Sequence, residues 1–274
     1  MAHGAYTFVM GNSFMEVSMR YLGLIFGLFF LFSCGQNRTK QSENSSFDSM
    51  MMKPDYSSTA SLTGEERKRR TNEFLKKLKV PTLDHLPLVE DFKEAQFRND
   101  REVAERCIIL YGIIFVVHGE ASGEEMTEYL KEFALWDKVS PNERKFLESK
   151  NPSDQDKVEH SWKIESLNVL LWSLNKFDEL ELPIDMCDFE HIEDLPDLSI
   201  DPTAWIEKSG LRSKEEILNQ VDLIYRMHWA TRDAELNNKK IPGDFHPGII
   251  FERHYALNWL VMYADEWDDI TTDT

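Results

Sequence analysis

IYRMHWATRDAEL (Ile224–Leu236) and FERHYALNWLVMYADEWDDITTDT (Phe251–Thr274) are the two stretches on which the fold of this chain turns. Both carry apolar residues at helical spacing. In the first helix, Ile217, Val221, Ile224 and His228 share one face, and Leu218, Tyr225, Trp229 and Arg232 the next. In the second, Ile250, Arg253/His254, Leu257, Leu260/Val261 and Ala264 form the apolar stripe. Arg253 or His254 therefore points near the core. Charged groups are rarely placed there, and one that is buried needs a partner or neutralises.

Glu165, on the apolar stretch ESLNVLLWSLNKF, is likewise a charge where apolar residues dominate. The economical expectation is a buried network in which Glu165, Arg226, Arg253 and the terminal Asp268/Asp269 satisfy one another. Asp222 stands four residues before Arg226, a spacing that also permits a pair along one helix face.

Working outward, helix starts are written in capping residues. Thr63 precedes Gly64-Glu65-Glu66, Asn99-Asp100 opens a second helix, Ser122 and Glu125 are spaced as a capping box, and Ser140-Pro141 opens a fourth. Ser153 to Phe177 reads as one long fifth helix, Ser213 to about Asn237 as the sixth, and Gly248 to Ala264 as the seventh. No segment alternates with period two long enough to be a strand. The reading is an all-α domain of about seven helices over residues 62–274. Between the fifth and sixth helices, Asp178–Asp201 holds ten acidic residues and no Lys or Arg. It reads as a long acidic loop, with no calcium-loop spacing in it.

The N-terminus has a different character. Arg20 precedes the apolar run YLGLIFGLFFLF (Tyr21–Phe32), too short to span a bilayer as a helix. That layout is a secretory signal peptide over residues 1–33. Leu31-Phe32-Ser33-Cys34 resembles the bacterial lipobox, in which cleavage leaves a cysteine that is then acylated. The resemblance implies a lipid bilayer as the partner of acylated Cys34. With Gly35 rather than an acidic residue next, it also implies a place in the cell envelope, at the outer membrane and facing the periplasm. Residues 34–61 are rich in Ser, Asn, Gln and Lys and read as a flexible tether.

The balance of 49 Asp plus Glu against 31 Lys plus Arg gives a net charge of −18. That argues against a nucleic-acid partner, which requires a clustered basic surface. The basic run Glu66–Lys79 (ERKRRTNEFLKKLK) fits a solvated helix face or attraction to anionic lipid. Cys107 and Cys187 leave two readings open, a disulfide formed in an oxidising compartment or, for Cys107, a small buried hydrophobe. No Cys/His spacing points to zinc, and no cofactor is implied.

Four blocks together resemble a bacterial family, domain of unknown function 4272: SWKIESLNVLLWSL (Ser161–Leu174), SKEEILNQVDLIYRMHWATRDA (Ser213–Ala234), ERHYALNWL (Glu252–Leu260) and WDDITTDT (Trp267–Thr274). The family brings no activity with it. The resemblance implies that Trp162, Glu165, Trp172, Arg226, Trp229, Arg232, Glu252, Arg253, His254, Asn258, Trp259, Trp267, Asp268 and Asp269 occupy its marked positions.

Two functions are in play. The first is a non-enzymatic binding module, since Trp, Tyr and Arg dominate interface energetics and an acidic protein favours a basic protein or peptide partner. Its candidate residues are Glu165, Arg226, Trp229, Arg232, Glu252, Arg253, His254, Trp259, Trp267, Asp268 and Asp269. The alternative is a metal-assisted hydrolase using His228, Glu252, His254, Asp268 and Asp269. The spacing argues against it, for there is no HExxH, no i,i+4 histidine pair, no phosphate-cradling loop and no GxSxG elbow.

Overall fold

The computed structural model describes residues 53–57, 61–189 and 192–274. The expected signal peptide, Cys34 and most of the tether lie outside them. Among the described residues there are nine α-helices and no β-strand. They are α1 (Gly64–Lys77), α2 (Asp100–His118), α3 (Gly123–Glu132), α4 (Pro141–Leu147), α5 (Asp154–Ser161), α6 (Lys163–Ser173), α7 (Thr203–Lys208), α8 (Lys214–Leu236) and α9 (Pro247–Leu260). Short 3-10 turns occupy Trp136–Lys138, Pro242–Asp244 and Trp267–Asp269. None of the described helices is long and apolar enough to cross a membrane.

The expected caps are formed. The side chains of Asn99, Ser122, Ser140 and Ser153 each accept the backbone N–H three residues on, and the acidic residue there accepts the cap's own N–H. Each box satisfies two donors that a helix start would otherwise leave open. At the far end of α2, Gly119 takes φ +77°, the left-handed turn that releases a helix.

The long fifth helix is two helices, and this corrects the expected count. At Trp162 the chain tightens, with the Glu165 N–H bonding back to the Trp162 carbonyl at 3.0 Å, three residues away rather than four. The joint lets α5 leave the core while α6 enters it. The third helix, expected over Ser122 to Trp136, ends at Glu132, because Ala134 adopts φ +56° and Leu135 N–H bonds back to Leu130 O at 2.8 Å. An alanine gives no sequence warning of a left-handed stop. A short helix, α7, was not expected after the acidic loop.

α6 is the centre of the molecule. Every residue from Glu165 to Ser173 is buried, and the helix packs chiefly against α2 and α9. α9 in turn packs on α8, and α8 on α1. The core runs through Ile108, Ile109 and Ile113 of α2, Leu167, Leu170 and Leu171 of α6, Ile217 and Ile224 of α8, and Ile250, Leu257 and Leu260 of α9. Burying each such side chain contributes about 1.5–3 kcal/mol.

Cys107 and Cys187 are free thiols, so the disulfide reading is not realised. Cys107 is fully buried in α2, a small hydrophobe with its thiol pKa pushed up by burial. The acidic loop is held at several points. Lys176 pairs with Asp194 at 2.8 Å while lying 4.3 Å over the Trp205 ring, and Trp205 Nε1 donates to the Asp194 carbonyl at 3.0 Å. Within the expected tether, residues 53–57 lie on α1 and α8. The Tyr56 hydroxyl is 2.8 Å from Thr71 Oγ1 and donates to Asn219 O at 3.2 Å, and Arg70 Nη1 donates to the Asp55 and Ser57 carbonyls.

Candidate functional site

The charges at helical spacing are resolved into separate structural locks. Glu165 and Arg253 are both buried and face each other across α6 and α9, with Glu165 Oε2 3.0 Å from both Arg253 Nε and Nη2. The other carboxylate oxygen accepts Cys187 N–H at 2.6 Å, and Arg253 Nη1 donates to the Glu181 carbonyl at 2.6 Å. One ion pair thus clamps the acidic loop to two core helices. Arg226 is not part of it, which corrects the expected network. It pairs along its own helix with Asp222, at 3.0 and 2.6 Å, and Asp222 also accepts the Thr71 hydroxyl of α1 at 2.5 Å. The i,i+4 spacing wins because a partner already held on the same helix costs no further ordering.

Asp268 and Asp269 stand apart from Arg253 as well. Asp268 Oδ2 accepts the Asn142 N–H at 2.9 Å, so it serves the open N-terminus of α4. Asp269 is exposed, as is Arg232, which pairs with Glu235 at 2.7 Å. Trp229 is half-buried. Trp259 and Trp267 meet edge to face at 5.4 Å and are roofed by arginines, Arg98 lying 4.6 Å over Trp259 and Arg106 4.7 Å over Trp267. Arg106 also makes a two-pronged contact with the buried Glu143, at 2.8 Å to each oxygen. The sequence signal for that pair was faint. Glu143 is the acidic member of the Ser140 capping box and does two jobs.

His228 and His254 meet between α8 and α9, Nδ1 to Nδ1 at 2.8 Å. Burial lowers both pKa values, to about 4 for His228, where Arg232 adds to the effect, and about 3 for His254, where His228 does. At neutral pH both rings are uncharged, and one donates its Nδ1 proton to the lone pair of the other. Each histidine thus has its Nδ1 occupied by its neighbour. Among the described residues, no three His, Cys, Asp or Glu side chains are disposed to hold a metal ion. Of the five residues of the hydrolase alternative, His228 and His254 pair with each other, Glu252 binds Lys163 and Ser166, Asp268 caps α4 and Asp269 is exposed, so each is held by a separate partner or by none.

Among the described residues, a groove of about 340 Å³ lies between α5 and the start of α9. Gln155, Val158 and Glu159 form its α5 wall, and Gly248, Phe251 and Glu252 its α9 wall. Trp162, at the α5–α6 joint, closes one end. Val158 and Phe251 are large apolar side chains left 53% and 42% exposed, so the rim is greasy as well as acidic. Gly248 is small for a reason. A Cβ there would stand 3.1 Å from the Trp162 ring, which also lies 5.1 Å from the His246 ring. Glu252 is held from behind by Lys163, at 3.2 and 3.3 Å, and by the Ser166 hydroxyl at 2.7 Å. Lys163 lies against the Tyr255 ring at 4.7 Å and does not line the groove. Glu159 has no partner among the described residues. Of the marked residues, Trp162 and Glu252 face this groove, and spacing alone could not single them out, because the two walls come from helices nearly a hundred residues apart.

The chain belongs to the family described as domain of unknown function (DUF4272), whose model matches residues 67–270. No curated protein and no solved structure matches it.

Proposed function

We propose that the chain is a membrane-tethered interaction module that holds a basic protein or peptide partner at the groove between α5 and α9. The observation that carries this reading is the rim itself. Val158 and Phe251 are exposed beside the carboxylates of Glu159 and Glu252, with an indole at the end of the groove. Exposed apolar side chains around a concavity mark places where another molecule sits, and an aromatic anchor with charged neighbours is the usual make-up of an interface centre. The net charge of −18 steers basic partners toward the molecule.

Most marked residues support the scaffold in this reading. Glu165, Arg226, Arg253, His254, Trp259 and Trp267 are consumed by contacts inside the domain and keep α6, α8 and α9 in register. The tether rests on the sequence pattern ending at Cys34. Acylation there places the groove within reach of envelope partners, the roughly 20 residues from Cys34 to Lys53 spanning at most about 70 Å when fully extended.

The test is a capture experiment from envelope extracts with the full chain, identifying what is retained by mass spectrometry. The expected result is one or a few basic proteins, lost from the Phe251→Ser/Glu159→Lys double variant and retained by an Arg69→Gln control on the exposed face of α1. Capture that is unaffected by the double variant, or confined to acidic proteins, would sink this reading.

A further inference from the structure

The geometry points to a specific occupant for the groove, which we infer to be the side chain of an arginine presented by the partner. The inference rests on the basic-partner reading above and narrows it. Three features point to a cation, and the second favours the guanidinium. First, the unpaired anion is Glu159, on the rim, whereas Glu252 is already matched by Lys163 and Ser166. The groove therefore offers one open counter-charge, enough for one cation. Second, the groove is lined by the Trp162 indole and by the exposed apolar side chains of Val158 and Phe251. A guanidinium is planar and weakly hydrated, so it stacks on such rings, whereas the compact ammonium of lysine holds its water. Third, the same domain lays its own cations over indoles, arginines on Trp259, Trp267 and Trp172 at 4.6 to 4.7 Å and lysines on Trp205 and Trp136 at 4.3 and 5.0 Å. Trp162 is half-buried, its ring lines the groove, and none of these arginines covers it.

Gly248 fits the same account. It lets the Trp162 ring approach the first turn of α9, where an added Cβ would stand 3.1 Å from that ring. The occupant is bounded by size as well. A space of about 340 Å³ lies at the small end of ligand sites and suits one side chain rather than a folded element.

The experiment is calorimetric titration of the full chain, solubilised in detergent, with three blocked pentapeptides that differ only at the centre: Gly-Gly-Arg-Gly-Gly, the lysine version and the glutamine version. The arginine peptide is expected to bind best and the glutamine peptide not at all. Glu159→Gln should weaken arginine binding about fivefold, the upper end for an exposed ion pair. Phe251→Ser should weaken it about threefold through loss of the apolar wall. Both positions are exposed, so the variants should fold, and an unchanged melting temperature checks this. Equal binding of the arginine and lysine peptides would overturn the arginine assignment and leave the basic-partner reading standing. Arginine binding that is unaffected by Glu159→Gln would remove the assignment from this groove. If no peptide binds while the capture experiment still retrieves a basic protein through Phe251 and Glu159, the single-side-chain inference falls alone.

Discussion

Glu165 Oε2 sits 3.0 Å from both Nε and Nη2 of Arg253, with neither side chain reached by solvent. The pair is more than a bond between α6 and α9, because the remaining hydrogen-bonding atoms of the two groups hold Cys187 and Glu181 of the acidic loop. Removing one member strands the other. Arg253→Met is expected to lower the unfolding free energy by roughly 3–5 kcal/mol, the cost of an uncompensated buried charge. The double variant Glu165→Met/Arg253→Met should recover much of that loss, since two apolar groups replace two charges. Urea denaturation of the three variants gives the coupling. Single and double variants that lose equal stability would show that the loop contacts, not the charge pair, carry the energy.

The contrast between Arg253 and Arg226 shows how far the sequence could be read. Helical phase correctly placed a charge of α9 in the core, and the charged residue of the apolar α6 was its partner. Arg226 was expected in the same network, while its spacing from Asp222 left a second carboxylate open to it. Asp222, four residues away on the same helix, competes at no chain-closure cost. The resemblance marked Trp267, but its place beneath Arg106 was not legible, because the contact joins residues far apart in the chain. The groove was invisible for the same reason, since its two walls become neighbours only when α5 turns away at Trp162. The stops at Ala134 and Met262 were missed because left-handed φ values there fall on residues that do not advertise them.

Acid should loosen the contact between α8 and α9. The pKa of His228 is lowered to about 4 and that of His254 to about 3, both below the unfolded value near 6.5. The folded state therefore binds fewer protons than the unfolded chain, and stability falls as pH drops below about 6.5, down to the folded values. His118, whose pKa is also lowered by burial, acts in the same direction. Carboxylates with lowered pKa, such as Asp156 and Glu216, add their loss only at lower pH, as they approach protonation. The window between about pH 6.5 and 4.5 thus belongs to the histidines. His228→Leu/His254→Leu should flatten the fall of the urea midpoint across that window, leaving the His118 part. A variant with the full slope of the parent would show that the pair does not titrate as argued.

Gly123 opens α3 directly against the end of α4, and a Cβ there would stand 2.0 Å from the Leu147 carbonyl oxygen. Backbone cannot rotate away as a side chain can. Gly123→Ala is therefore expected to be costly although alanine is the better helix former, by about 1 kcal/mol in an open helix. The two effects have opposite signs, and the close approach should win, with a net loss of roughly 1–3 kcal/mol as for other overpacked sites. Thermal unfolding measures it directly. A neutral or raised melting temperature would mean that α3 and α4 separate at little cost.

Cys34 carries the tether in the proposed function. A single acyl chain of ordinary length holds a protein only marginally at a bilayer, and two or more hold it stably. Cys34→Ala should therefore move the chain from the membrane fraction to the soluble fraction, with little change in the melting of the domain, because residues 53–274 make their contacts without it. Cys107→Ala is the matched control. It lies in the core at full burial, so it should alter stability by a fraction of a kcal/mol to about 2 kcal/mol and leave fractionation alone. Metabolic labelling with a fatty-acid analogue should mark the parent and not the Cys34→Ala variant. Label that persists in Cys34→Ala, or a variant that still sediments with membranes, would place the anchor elsewhere and remove the tether from the proposal while leaving the groove untouched.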